Sequence, residues 1–161
     1  MPIAQTIAEE LEREMPVTAR VLERVPTDKM DWRPHAKSKS AGDLAYHIAA
    51  LPSLGTIVLR QEELDPSKRP PVQRDLPPVE LFRRNAEEFL SAIRALDNEQ
   101  MMQPFRFRLG DRVLIDAPKA GMLRNLLLNH IYHHRGQLSV YLRLLDVPVP
   151  SVYGPTADEG M

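Results

Sequence analysis

Three of the chain's five histidines fall in one short stretch, NHIYHHRGQ (Asn129 to Gln137). The flanking segments, LRNLLL and LSVYLRLL, are rich in leucine, so the stretch reads as part of a packed helix and not as a solvated loop. An unpaired polar group in an apolar interior costs roughly 1–3 kcal/mol, and buried imidazoles therefore need partners. On a helix, residues four apart share a face, which sets His130 beside His134. His133, three residues from His130, can also share a metal with it. Spacing leaves both pairs open, although Leu123, Leu127 and Tyr141 line up with His130 and His134 and turn that pair towards the core. Two imidazoles hold a metal weakly, so a third ligand is needed. His47, among Leu44, Ile48, Leu51 and Leu54 on an apolar helix face, is the best candidate; His35 lies in a loop and is the weaker one. Three histidines leave coordination positions open for water or substrate, as catalytic sites do. Imidazole suits zinc, nickel, iron, manganese and cobalt. No Glu follows His130, so the zinc-protease pattern and its general base are absent.

Several other residues are candidates for support. Asp43, one turn before His47, can act behind it or cap the helix with Ser40. Gln137 shares the His130/His134 face and can hydrogen-bond water or substrate there. Tyr153 and Asp158 lie in the tail, where they either cover the site or pin the terminus. Arg135 reads as a salt-bridge or dimer-contact residue. Trp32, the sole tryptophan, reads as an anchor for its loop. Arg106, Arg108 and Arg112 alternate along an extended segment and read as its solvated face rather than as a phosphate patch.

These residues need a scaffold, and the composition bounds it. The chain has 161 residues, 43% hydrophobic and 27% charged, which suits one globular domain over residues 1–161 with a real core. The net charge of −1 gives no general pull towards nucleic acid or anionic lipid. The absence of cysteine excludes disulfides, thiolate nucleophiles and Cys-ligated metals. No secretory signal or apolar run of about 20 residues is evident, so the expectation is a cytoplasmic protein with no membrane partner. Fifteen prolines mostly punctuate the periodic segments.

Helical spacing of apolar residues predicts four helices. The first spans Ile3 to about Val25, with a kink at Pro16. The second runs from Ser40 to about Leu64, with a bend near Ala49 caused by Pro52. The third starts at Pro77-Pro78 and carries Leu81, Phe82, Asn85, Phe89, Ala92, Ile93 and Leu96 on one stripe. The fourth covers Pro118 to Leu145. Asp65 to Leu76 reads as an exposed crossover. FRFRLGDRVLI alternates around Leu-Gly-Asp and predicts a short hairpin or extended excursion before the last helix. With so few strand-like stretches the expected class is all-α, a four-helix bundle.

The two histidine segments also carry a resemblance. NHIYHHRGQLSVYLRLLDVPVPSVYGPTADE is similar to the C-terminal signature of the DinB-like proteins, the damage-inducible superfamily that includes YfiT-like metal-dependent hydrolases. VLERVPTDKMDWRPHAKSKSAGDLAYHIA resembles that family's loop into its second helix. The resemblance covers most of the chain and implies up-down-down-up connectivity, a common homodimeric state and a divalent metal held by three histidines. Carried over residue by residue, those ligands fall on His47, His130 and His134, leaving His133 out. The activities it implies are transfer of low-molecular-weight thiols, hydrolysis and, in one branch, isomerisation of maleylpyruvate, each on a small-molecule substrate. Zinc or nickel is the foremost metal expected, with iron, manganese or cobalt as further candidates. The competing expectation is a non-enzymatic dimeric stress-response bundle in which the metal site is structural.

Overall fold

Apolar stripes at helical spacing set the frame. The structure, a computed structural model, describes residues 2–160. Helix α1 spans Ile3–Glu23 and buries Ile7, Leu11, Val21 and Leu22. Helix α2, Ala41–Arg60, is capped by the Ser40 hydroxyl, which accepts from the Asp43 amide. Helix α3, Pro78–Ile93, buries Leu81, Phe82, Asn85, Phe89 and Ile93, the stripe that the sequence predicts. A one-turn helix, α4 (Asn98–Met101), begins with a capping box between Asp97 and Gln100. The last helical run is continuous but not uniform. It consists of α5 (Lys119–Leu123), a π-helical segment (Arg124–Asn129) and α6 (His130–Leu144). Pro16 and Pro52 lie inside α1 and α2 without ending them.

Helix α1 packs on α3 and α6, and α2 packs on the same two. One hydrophobic core joins them, with Phe82, Phe89, Leu127, Ile131 and Leu138 fully buried. Each such side chain contributes about 1.5–3 kcal/mol on burial. Gly55 lets α2 approach closely: a Cβ there would lie 2.9 Å from the Phe89 ring and 3.0 Å from a Leu127 methyl. By length and mean hydropathy α2 is apolar enough to cross a bilayer, a property that its short apolar runs concealed, yet 67% of that window is buried inside the protein. Its apolar faces meet the other helices.

The all-α expectation needs one correction. Residues Glu63–Leu64 (β1), Pro104–Leu109 (β2) and Arg112–Pro118 (β3) form a three-stranded sheet in the order β1-β2-β3. The β2–β3 hairpin is the predicted excursion, turned at Gly110 with a positive φ of 57°, a conformation glycine adopts without steric cost. Strand β1 lies in what was expected to be the end of the second helix and pairs in parallel with β2. The helix stops at Arg60, and the freed chain is captured by the hairpin, where the Arg106 amide donates to the Glu62 carbonyl at 2.9 Å. The protein is thus mostly helical with a small sheet. Arg106 and Arg108 on the hairpin face Asp116 and Glu63 at 3.3 and 3.1 Å; Arg106 and Arg112 are exposed and Arg108 is partly so.

Candidate metal centre

Two elements bring the histidines together. His47 sits two turns into α2, and His130 and His134 occupy the first two turns of α6. Just before His130 the backbone takes its π-helical form, a local widening that recurs at functional sites. The core stripe of α6 runs through Ile131, Arg135, Leu138 and Leu142, so His130 and His134, expected to face the core, lie at its edge, half-buried. One ring nitrogen from each of His47, His130 and His134 lies within 4.8 Å of the others. The closest pair is His47 Nε2 and His130 Nε2, 3.2 Å apart. The ring centroids of the three are 4.5–5.0 Å apart.

Burial and mutual repulsion keep these rings neutral. His47 is lowered to about 4, first by burial and then by the charges that His134, His130, Lys39 and Arg69 place near it. Burial also lowers His130, ahead of the influence of His134, while the Leu126 carbonyl works in the opposite direction. His134 is lowered by burial as well, against the opposing hydrogen bond of Gln137. Neutral imidazole is the ligating form. The Gln137 Oε1 lies 2.7 Å from His134 Nδ1 and accepts its proton, which leaves the lone pair on Nε2. No carboxylate enters the group, so the donor set is purely nitrogen, suited to divalent transition metals and not to calcium or magnesium.

The remaining candidates sort clearly. His133 is exposed and meets His134 edge-on with centroids 4.8 Å apart, outside the group. His35 is exposed, its Nδ1 accepting from the Lys37 amide at 3.1 Å. Asp43 caps α2 with Ser40 and turns its carboxylate to Arg74 at 2.6 Å. Trp32 anchors its loop edge-on against Tyr141, 5.6 Å between centroids. Arg135 is 2% exposed and donates to Glu14 at 2.7 Å, Thr18 at 2.9 Å and the Tyr153 hydroxyl at 2.6 Å. Asp158 accepts from the Val149 amide and pairs with Arg143. Tyr153 and Asp158 therefore pin the tail. Sequence reasoning missed Lys39 and Arg69, whose charges reach His47; both lie in connectors without periodicity, where nothing marks a neighbour of the site.

This combination of helices, hairpin and paired histidine segments has relatives. A family model described as the DinB family matches residues 1–160. The chain belongs to the DinB family. It is 22% identical over 149 residues to the Bacillus subtilis protein YrdA, covering 92% of this chain and 86% of that one. Among solved structures, the DinB-like protein YjoA from Bacillus subtilis is similar with a TM-score of 0.73 at 19% identity, covering 91% of this chain and 97% of its own. A DinB-like protein from Bacillus cereus gives a TM-score of 0.72 at 20% identity, with 92% and 97% covered. At these identities the likeness carries the DinB fold to this chain.

Proposed function

We propose that His47, His130 and His134 hold one divalent transition metal, zinc or nickel foremost, and that the protein is a metal-dependent enzyme acting on a small molecule. Transfer of a low-molecular-weight thiol or hydrolysis is the reaction class that the family resemblance implies. The observation that carries the reading is the convergence of three neutral imidazoles from two helices on one point. Two nitrogens each about 2.0 Å from a tetrahedral ion lie about 3.3 Å apart, and the His47–His130 separation is 3.2 Å. A bound ion with an open position would lower the pKa of a thiol or water held there and so supply a nucleophile at neutral pH. The chain's own part is to keep the imidazoles neutral by burial and to fix the His134 tautomer through Gln137. On this reading α1, α2, α3 and the final helical run make a four-helix bundle of up-down-down-up connectivity, one domain over residues 1–161, working as a cytoplasmic homodimer.

A second reading rests on a specific contact. The 3.2 Å approach of His47 Nε2 to His130 Nε2 allows one ring to donate to the other, so the histidines can satisfy themselves and serve stability in a non-enzymatic stress-response dimer. Elemental mass spectrometry of the purified protein, beside a His47→Ala/His134→Ala variant, separates the two. About one transition metal per chain, lost in the variant, supports the first reading and justifies a screen of thiol and hydrolytic substrates. No metal after reconstitution with zinc, nickel and manganese supports the second.

A further inference from the structure

We propose that the π-helical turn ahead of His130 is a positioning device: it frees the Leu126 carbonyl to hold the proton of His130 on Nδ1, which leaves the Nε2 lone pair aimed at the histidine centre. As a device for metal binding it rests on the metal-site reading above. A regular α-helix engages the carbonyl of each residue with the amide four residues on. The π-helical segment Arg124–Asn129 breaks that ladder directly before His130. The His130 amide donates to the Leu127 carbonyl, three residues back, in place of Leu126. The Leu126 carbonyl has thereby lost its ordinary α-helical donor.

The His130 ring takes that place. Leu126 lies one turn before it and accepts a hydrogen bond from the ring, which works against the lowering caused by burial. The two ring nitrogens differ in reach. Nδ1 sits beside the side-chain stem and can bond back to a carbonyl of its own helix, whereas Nε2 points away from it. Nε2 is also already placed, 3.2 Å from His47 Nε2, so Nδ1 is the nitrogen that meets Leu126. A neutral imidazole has one N–H, and the bond made by one nitrogen decides the state of the other. With its proton on Nδ1, His130 can only accept at Nε2, so His47 donates across the 3.2 Å contact in metal-free protein. His134 receives the same orientation from a side chain, Gln137, and His130 receives it from the backbone. Both rings of α6 therefore present Nε2 to one point.

Long-range proton–nitrogen NMR of metal-free protein reads the tautomer at about pH 8, above the ordinary histidine range. The His130 signals are those lost in His130→Ala. The expected result is a protonated Nδ1 and a bare Nε2, with a scalar coupling from Nδ1 to the Leu126 carbonyl carbon. His35, whose Nδ1 accepts from the Lys37 amide, should show the reverse tautomer and serves as the internal control. A proton on Nε2 of His130, or one on Nδ1 without the Leu126 coupling, overturns the proposal. Deleting Asn125, an exposed residue whose side chain meets Asn129 at 3.5 Å, tests the turn itself, because a π-helical turn carries one residue more than the α-helix it interrupts. In the deletion variant the coupling is expected to vanish and zinc affinity to fall about 10–100-fold in a competing-chelator titration, with both unchanged in Asn125→Ala. A folded deletion variant that keeps the coupling and the affinity overturns the role of the turn. If the deletion variant does not fold, the coupling in the parent decides. A parent that shows the coupling yet binds no zinc leaves the tautomer assigned and overturns the metal-site reading instead.

Discussion

His134 and Arg135 are neighbours on α6, yet they anchor two polar clusters of opposite design. Arg135 is almost fully buried and meets Glu14, Thr18 and Tyr153, with its guanidinium also 5.4 Å from the Tyr132 ring centre and 5.0 Å from that of Tyr153. Charge, counter-charge and donors are matched within the chain, and the cluster ties the tail and α1 to α6. His134 joins two more imidazoles and no acid. Its cluster is half-buried and composed of like groups, three nitrogen donors that could hold a metal ion. A matched polar cluster holds a fold together, whereas a cluster of donors alone has no partner of opposite charge within the chain.

The contrast breaks most sharply at Arg135. Removing one partner of a buried ion pair strands the other, so Arg135→Ala is expected to lose about 3 kcal/mol of stability by urea denaturation. Arg135→Met combined with Glu14→Leu is expected to recover most of that loss, because no charge is then left unpaired. An Arg135→Ala protein as stable as the parent would show that the cluster is not structural. The histidine cluster responds in the opposite way. His134→Ala is expected to lower zinc affinity at least about 100-fold in a competing-chelator titration, since two imidazoles remain, while the melting temperature of the metal-free protein stays within a few degrees. A large fall in metal-free stability would assign the histidines to the fold and favour the second reading.

How much of this was legible follows from the same physics. The α3 stripe was readable because Leu81, Phe82, Phe89 and Ile93 recur at helical spacing with charges between them. His47 was readable as a histidine on an apolar helix face for the same reason, and spacing brought His130 to His134. Spacing could not separate His134 from His133; the fold does so by turning His133 to solvent. Strand β1 was not legible, since two residues carry no alternation and their pairing with Arg106 and Phe107 comes from far along the chain. The π-helical segment was hidden by Leu126, Leu127 and Leu128, which supply apolar surface to any helical register. Helix α4 has only a short local signal, the capping-box spacing of Asp97 and Gln100, with no apolar stripe to accompany it. The near-total burial of Arg135 had no local signal, because its partners Glu14, Thr18 and Tyr153 are distant in sequence.

Acid should act directly on the histidine cluster. Burial pushes His47 down to about 4 from the ordinary histidine value of 6.5, so the unfolded chain takes up the proton first. The stability this contributes is complete above about pH 6.5 and is lost as pH falls through about 4. Metal-free protein is expected to show a falling melting temperature across that window, with a shallower slope in His47→Ala. Zinc affinity should decline as pH falls towards about 4, where His47 takes up its proton in the folded chain, because each ligand must be neutral to bind. Equal slopes in the two proteins would remove His47 from this account.

The smallest expected effect is the sharpest probe of how the cluster is tuned. Gln137 is exposed and touches the site only through His134 Nδ1 at 2.7 Å. Loss of such an orienting partner usually costs about 10–100-fold in metal affinity, and partial exposure places the expectation for Gln137→Ala at about tenfold. The metal-free melting temperature should not move, since Gln137 buries no apolar surface. A Gln137→Glu variant should restore the affinity, because its carboxylate accepts the same proton more strongly. If Gln137→Ala binds zinc as tightly as the parent, the His134 tautomer is set by something other than this bond. The self-satisfied His47–His130 pair would then be the stronger organiser of the three rings.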